Sequence, residues 1–229
     1  MDNEIYNRTE LVLGKEKLDK IKKLNICICG VGGVGSYVFE SLVRLGVGNI
    51  TVIDKDKVDV TNINRQLIAL NSNIGKSKVD ECKKRAEDIN PEINITAINS
   101  EITVDNVDKL ILNSYDYVID AIDMVDAKVA VIQKCKEQNI KIISSMGMAN
   151  RIEPLRIKVA NIDKTSMCPL AKRMRKLLKE KGITKLKVVY SDEQPIKTDC
   201  KILGSVSYVP STAGLIITSE IVKDILKTP

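Results

Sequence analysis

The sequence contains no histidine. Chemistry that turns on an imidazole is therefore excluded: a Ser-His-Asp triad, a Cys-His pair and an H-E-x-x-H metalloprotease all need one. Any reaction the chain supports must run without a side chain that ordinarily titrates near neutrality. Aromatic residues are scarce too, at 3%, with no tryptophan and one phenylalanine, so an aromatic-rich platform for stacking bases is not expected. The six cysteines, Cys27, Cys29, Cys82, Cys135, Cys168 and Cys200, include no C-x-x-C pair, and a structural zinc site is not expected from them. Cys27 and Cys29 stand in an apolar run and read as small core residues. No run of 18 or more apolar residues occurs, and residues 1–10 are polar with no apolar segment behind them. Neither a membrane span nor a secretory leader is expected, and the expected location is cytoplasmic.

What is present is an ordinary globular balance, 44% hydrophobic and 29% charged over 229 residues, which suits one domain with a short extension. The net charge of +6 is uneven: residues 171–187 hold eight basic residues against one acid, a net +7 that leaves −1 for the remainder. Lys172, Arg173, Arg175, Lys176 and Lys179 lie on a helix expected over 169–181, whose other face carries Leu170, Met174, Leu177 and Leu178. Such a cluster points to a polyanionic partner; the alternative is a solvated helix face.

Residues 25–29 are apolar and end at a glycine cluster, as a buried strand would. Helical spacing follows over 36–46, then a second strand over 50–53 closed by Asp54. Further strands are expected over 93–98, 117–121 and 140–144, and helices over 75–89, 106–112 and 126–138. This alternation implies an α/β fold: a Rossmann-like, mostly parallel sheet with helices on both faces. After Gly147 the pattern changes. Residues 155–161 alternate as an antiparallel strand would, 187–190 is another strand, and 206–226 reads as a strand-like start followed by an apolar helix. The expected division is a nucleotide-binding core over 1–147 and an antiparallel C-terminal extension, with its basic helix, over 148–229.

Gly30, Gly32, Gly33 and Gly35 form a G-x-G-G-x-G loop directly after a strand and before a helix. Such a loop lets backbone approach phosphates, and the helix N-terminus favours their negative charge. Asp54 ends the next strand, with Asp56 just beyond, where an acid accepts hydrogen bonds from ribose hydroxyls. This much fits a nicotinamide cofactor as well as ATP. Three further features favour ATP: Asn62, Arg65 and Gln66 just past the second strand, Lys78 thirteen residues after Arg65, and Asp120 and Asp123 closing the fourth strand. Two cations beside a triphosphate neutralise charge building on its α-phosphate. A carboxylate at a strand end suits Mg²⁺, which takes one or two carboxylates together with phosphates.

On these residues the sequence resembles the ubiquitin-activating-like (ThiF/MoeB/HesA-type) adenylating superfamily, which includes the adenylyltransferases of molybdopterin and thiamine biosynthesis. Within it, the resemblance is to the tRNA threonylcarbamoyladenosine dehydratases. Arg8, Thr9, Glu10 and Leu11 with Gly14 resemble their N-terminal signature, and Asp120 and Asp123 followed by Lys128 their second acidic motif. Asp163, Thr165, the run Pro169, Leu170 and Ala171, Arg175, the run Val188, Val189, Tyr190 and Ser191, and Glu193 and Pro195 resemble their C-terminal half. Glu153 before Pro154 departs from a commoner Asp, as does Cys168 before Pro169.

The resemblance implies that Asp54 binds ribose, that Asn62, Arg65 and Lys78 bind phosphates, and that Asp123 serves a metal and the surroundings of the attacking carboxylate. It implies that Arg8 reaches across a homodimer into the partner's ATP site. ATP and Mg²⁺ are the cofactors implied, and the partner is tRNA bearing N6-threonylcarbamoyladenosine. The implied enzyme is an ATP-dependent adenylating ligase of the tRNA-modifying kind, cyclising that side chain through a carboxyl-adenylate. The alternative is an adenylyltransferase for the C-terminus of a ubiquitin-like or sulfur-carrier protein, with a sulfurtransferase or carrier as partner. There Cys200, beside Lys197 and Lys201, or Cys168, would be the candidate thiol. A non-catalytic nicotinamide-binding protein is a third reading, which Asn64, Arg65 and Gln66 argue against.

Overall fold

A computed structural model describes residues 4–200 and 202–227. Two short helices come first, α1 (Asn7–Leu13) and α2 (Lys15–Lys22). The apolar run Asn25–Cys29 is β1, and Asn49–Ile53 is β2, paired to it in parallel. Between them, α3 (Gly35–Leu45) buries Val38, Phe39, Leu42 and Val43, one stripe of a 3.6-residue repeat. The chain continues through α4 (Lys78–Ile89), β3 (Asn94–Ile98), α5 (Val107–Leu110), β4 (Tyr117–Asp120), α6 (Val125–Glu137) and β5 (Lys141–Ser145). It ends with β6 (Ile157–Asn161), α7 (Pro169–Glu180), β7 (Lys187–Ser191) and α8 (Tyr208–Leu226).

The seven strands form one sheet in the order β3-β2-β1-β4-β5-β7-β6. All neighbours are parallel except β6 and β7. The C-terminal segment therefore extends the sheet of the core: β7 adds in parallel to β5, and the antiparallel pairing is confined to the outer strand. The strand-like start expected at 206 is instead the approach to α8, which takes Tyr208, Val209 and Pro210 into its first turn. Proline is accommodated there because first-turn amides lack helical partners.

The two sheet faces bury separate cores. Ile26, Ile28 and Ile119 face one, with Phe39 and Leu42 of α3 and Ile217 and Ile221 of α8. Cys27, Cys29 and Val118 face the other, with Val131 and Cys135 of α6 and Met174 and Leu178 of α7. Each large aliphatic or aromatic side chain so buried contributes about 1.5–3 kcal/mol. Burial on both faces is why these strands read as continuous apolar runs.

From β1 the chain builds β2 and β3 on one side and β4 and β5 on the other. That reversal leaves a crevice between the carboxyl ends of β1 and β4, where ligands bind in open α/β sheets. The basic helix α7 starts at this carboxyl edge, where Cys168 and Leu170 approach Gly147. It ends near the opposite edge, where Leu186 leads into β7 and donates its amide to Asn161 at the end of β6.

Candidate active site

A cavity of about 640 Å³ opens at the carboxyl edge of the sheet. Its floor is the glycine loop. Gly30 has φ +88°, and a Cβ there would stand 2.8 Å from the Ala121 carbonyl oxygen, so its bareness lets the ends of β1 and β4 meet. Gly32 and Gly33 line the cavity. Gly35, expected to contact the nucleotide, is not among its lining residues: a Cβ there would lie 1.9 Å from the Gly30 carbonyl oxygen. The missing side chain lets the first turn of α3 seat against the loop, and a helix N-terminus in such a place favours an anion.

Asp54 is held rigidly in the cavity wall. Its Oδ2 accepts from the Val31 amide at 2.8 Å and its Oδ1 from the Asp56 amide at 2.8 Å. These bonds fix the carboxylate at the end of β2, where it can accept from a ribose. The segment after β2 folds as a 3₁₀ turn, Val60–Asn62, capped by Asp59. Asn62 is buried there, its Oδ1 accepting from the Asp59 amide. Arg65 lies across Gly33, its guanidinium held by the Thr61 carbonyl at 2.8 Å and Asn64 Oδ1 at 3.0 Å. No carboxylate neutralises it among the described residues. Gln66 is 7% exposed, its amide sits over Gly32, and its Oε1 has no hydrogen-bond partner among the described residues. A buried orphan polar atom lining a cavity fits a ligand that completes it.

Lys78, at the start of α4, is buried and pairs with Asp56 at 2.9 Å. Asp56 is half-exposed, so an entering phosphate can share this ammonium. Asp123 is exposed on the far side of the cavity and makes no ion pair among the described residues. Asp120, its neighbour in the motif, is fully buried: Lys128 Nζ pairs with it at 2.9 Å and Ser144 Oγ donates to it at 2.5 Å. Lys128 also donates to the carbonyls of Ile122 and Ser145. It thereby ties together the ends of β4 and β5, both of which supply cavity wall.

Past the ends of β4 and β5 the cavity turns apolar, through Met124, Met146, Met148, Leu170 and Leu203. Sequence reasoning missed this half; its signal was the pair Met146 and Met148 just past a strand end. Flexible methionines suit a wall that adapts to a substrate. Arg8 is exposed on α1 and is not part of the cavity of its own chain. Cys200 is exposed and Cys168 buried, and neither lines the cavity; Lys201 falls outside the described residues. On α7, Lys172, Arg173, Lys176 and Lys179 are exposed, whereas Arg175 is half-buried and donates to the Thr165 carbonyl and hydroxyl.

A tRNA threonylcarbamoyladenosine dehydratase of Bacillus subtilis is 42% identical, over 97% of this chain and 94% of its own. The crystal structure of Escherichia coli tRNA N6-threonylcarbamoyladenosine dehydratase in complex with ATP matches with a TM-score of 0.92 at 35% identity, covering 96% of this chain and 93% of that one. The same enzyme in complex with AMP gives 0.91 at 36% identity, covering 96% and 92%. A family model described as the ThiF family spans residues 6–229, the stretch that builds the sheet and every wall of the cavity, and this chain therefore belongs to the ThiF family.

Proposed function

We propose that the protein catalyses ATP-dependent cyclisation of N6-threonylcarbamoyladenosine beside the tRNA anticodon, through a carboxyl-adenylate. The observation that carries this reading is the arrangement around one cavity of an unneutralised guanidinium, Arg65, a buried ammonium, Lys78, and an orphaned amide oxygen, Gln66. Relatives named for this activity, one of them seen in complex with ATP and with AMP, support it.

The chemistry needs no imidazole. The threonyl carboxylate is already ionised at neutral pH, so its oxygen attacks the α-phosphorus of ATP directly. The bond to the β-phosphate oxygen breaks and pyrophosphate leaves. An oxygen or nitrogen of the same side chain then attacks the activated carbonyl carbon, loses its proton and expels AMP, and the modified base has lost one water. Asp54 holds the ribose, the glycine loop and the α3 N-terminus face the phosphates, and Arg65 and Lys78 neutralise charge at phosphorus. The second step is intramolecular, so its effective molarity is high without a protein nucleophile.

Mg²⁺ supplies charge neutralisation on the phosphates when bound. Asp123 would hold it: a cavity-lining carboxylate that makes no ion pair among the described residues fits a cation that completes its shell with phosphates and water. A homodimer accompanies this reading. The helix bearing Arg8 leaves Leu11 87% and Val12 83% exposed, an apolar surface that a second copy would cover. Lys172, Arg173, Lys176 and Lys179 face solvent along α7, which starts at the lip of the cavity, and suit RNA phosphates, while Arg175 braces the helix. Activation of a carrier protein would share the first step; Cys200 stands outside the cavity, and no observation favours it.

The test is mass spectrometry of nucleosides from tRNA carrying the modification, after incubation with protein, ATP and Mg²⁺. The expected product is lighter by one water, with AMP released in step. The double variant Arg65→Ala, Lys78→Ala should lower the rate by about 10³-fold or more. AMP formation at the normal rate by that variant would place the site elsewhere.

A further inference from the structure

A second cavity, about 670 Å³, lies at the opposite, amino edge of the sheet, where β4, β5 and β7 begin. Its walls include Ile140, Ile142, Val159 and Leu186, and Lys136, Lys141, Lys185 and Lys187 border it. The carboxylate that lines it, Asp224, is already engaged: Oδ1 accepts from Lys187 Nζ at 2.6 Å and Oδ2 from the Tyr117 hydroxyl at 2.8 Å. Lys187 also pairs with Glu220 at 3.3 Å. Lys136 and Lys185 are exposed and form no ion pair among the described residues. Cations in a cleft with low-dielectric walls focus their potential and concentrate anions.

Lys185, on the border of this cavity, follows the end of α7 by five residues. Lys172, Arg173, Lys176, Lys179 and Lys181 are exposed and likewise unpaired among the described residues, and Glu180 is the one acid in the run. With twelve residues, α7 spans about 18 Å, from the lip of the ATP cavity to the sheet edge where Lys185 stands. Lys172, Lys176 and Lys179, spaced by helical turns on one face, form a file of cations that runs from the ATP cavity toward the second.

We infer that the lysine-bordered cavity at the amino edge is a phosphate site that grips the RNA backbone at the far end of this file. The inference rests on the reading that the protein acts on tRNA. It gives the RNA a contact one helix length from the chemistry, which fixes the angle at which the anticodon enters without touching the reacting atoms.

The test uses the full-length protein with Lys136→Glu, Lys185→Glu, and the milder pair Lys136→Gln, Lys185→Gln, each verified by an unchanged thermal melt. Binding of full-length tRNA is measured across salt concentrations, with kcat, KM for ATP, and binding of a trinucleotide centred on the modified adenosine. The expected result is about 10-fold weaker tRNA binding at low salt for the Glu pair, and a smaller loss for the Gln pair. The slope of log affinity against log salt should become shallower by about 2. KM for ATP, kcat at saturating tRNA and trinucleotide binding should not change, because so short an RNA cannot reach. An unchanged salt slope with full-length tRNA overturns the site, as does an equal loss with the trinucleotide. Saturable binding of inorganic phosphate that both pairs abolish, with tRNA affinity intact, assigns the cavity to a small anion and also overturns it. Each of these failures leaves the nucleoside mass measurement standing, so the two readings fail separately.

Discussion

Lys128 lies wholly inside the protein, and its ammonium makes three contacts at once: the Ile122 carbonyl at 3.0 Å, the Ser145 carbonyl at 2.8 Å and Asp120 Oδ2 at 2.9 Å. A buried pair of this kind gains little over well-packed apolar residues, but removing one member strands the other in low dielectric. Lys128→Met should therefore destabilise the protein by about 3–5 kcal/mol in urea unfolding, and Lys128→Met with Asp120→Leu by less than the single change. The sequence marks Lys128 only as part of a motif. On a helix, a lysine reads as solvent-facing, and partners such as Ser145 approach it only once two strands are side by side. Asp54 and Arg65 were legible because they sit at a strand end or in the turn after it, where chain order already implies the cavity. Gly35 was legible as a motif position, but the close packing against the Gly30 carbonyl that calls for a glycine there was not.

At the scale of elements, α3 and α4 are clasped by Glu40. Its Oε2 accepts from Arg85 Nε at 2.6 Å, and its Oε1 from Arg85 Nη2 at 2.8 Å and Arg44 Nε at 2.6 Å. Burial by itself would raise this carboxyl, but the hydrogen bonds from Arg85 and Arg44 outweigh it and hold it below the ordinary value. A carboxyl lowered by folding adds stability that is complete above its unfolded value and is lost as pH falls through the folded one. Glu40→Gln should cost about 1 kcal/mol near neutrality, a modest figure because Arg85 is partly open to solvent. The gap from the parent protein should close in acid, which urea unfolding at several pH values would read. The elements legible in the sequence were those with an unambiguous period: β1, β2, β4 and β5 as apolar runs, and α3 and α6 by their stripes. Helices α1 and α2 were not, because in α2 Leu18 and Ile21 alone are buried among charged residues. The start of α8 misread as a strand because Val206, Tyr208 and Val209 are strand formers, and packing against α3 overrode that preference.

At the scale of the whole molecule, the site as one chain builds it lacks the reach of Arg8, which faces solvent on α1. If Arg8 completes the ATP site of a second copy, each active site belongs to two chains. Arg8→Ala and Lys78→Ala should then each be nearly inactive alone. After subunit exchange, an equal mixture should recover about one quarter of parental activity, since half of the dimers carry one intact site of two. A mixture no more active than its components would show that Arg8 does not act in trans. No helix among the described residues is long and apolar enough to cross a membrane.

The position of β7 has a consequence for biosynthesis. It lies between β5 and β6 in the sheet yet follows both in the chain. As the polypeptide leaves the ribosome, residues 157–161 emerge with no neighbour to pair with until residues 187–191 appear. At ordinary translation rates that interval is about 1–5 s. Throughout it, the flank of β5 is a raw edge able to recruit a strand from another nascent chain. A ribosome stalled between these two points would therefore hold the polypeptide at its most adhesive stage.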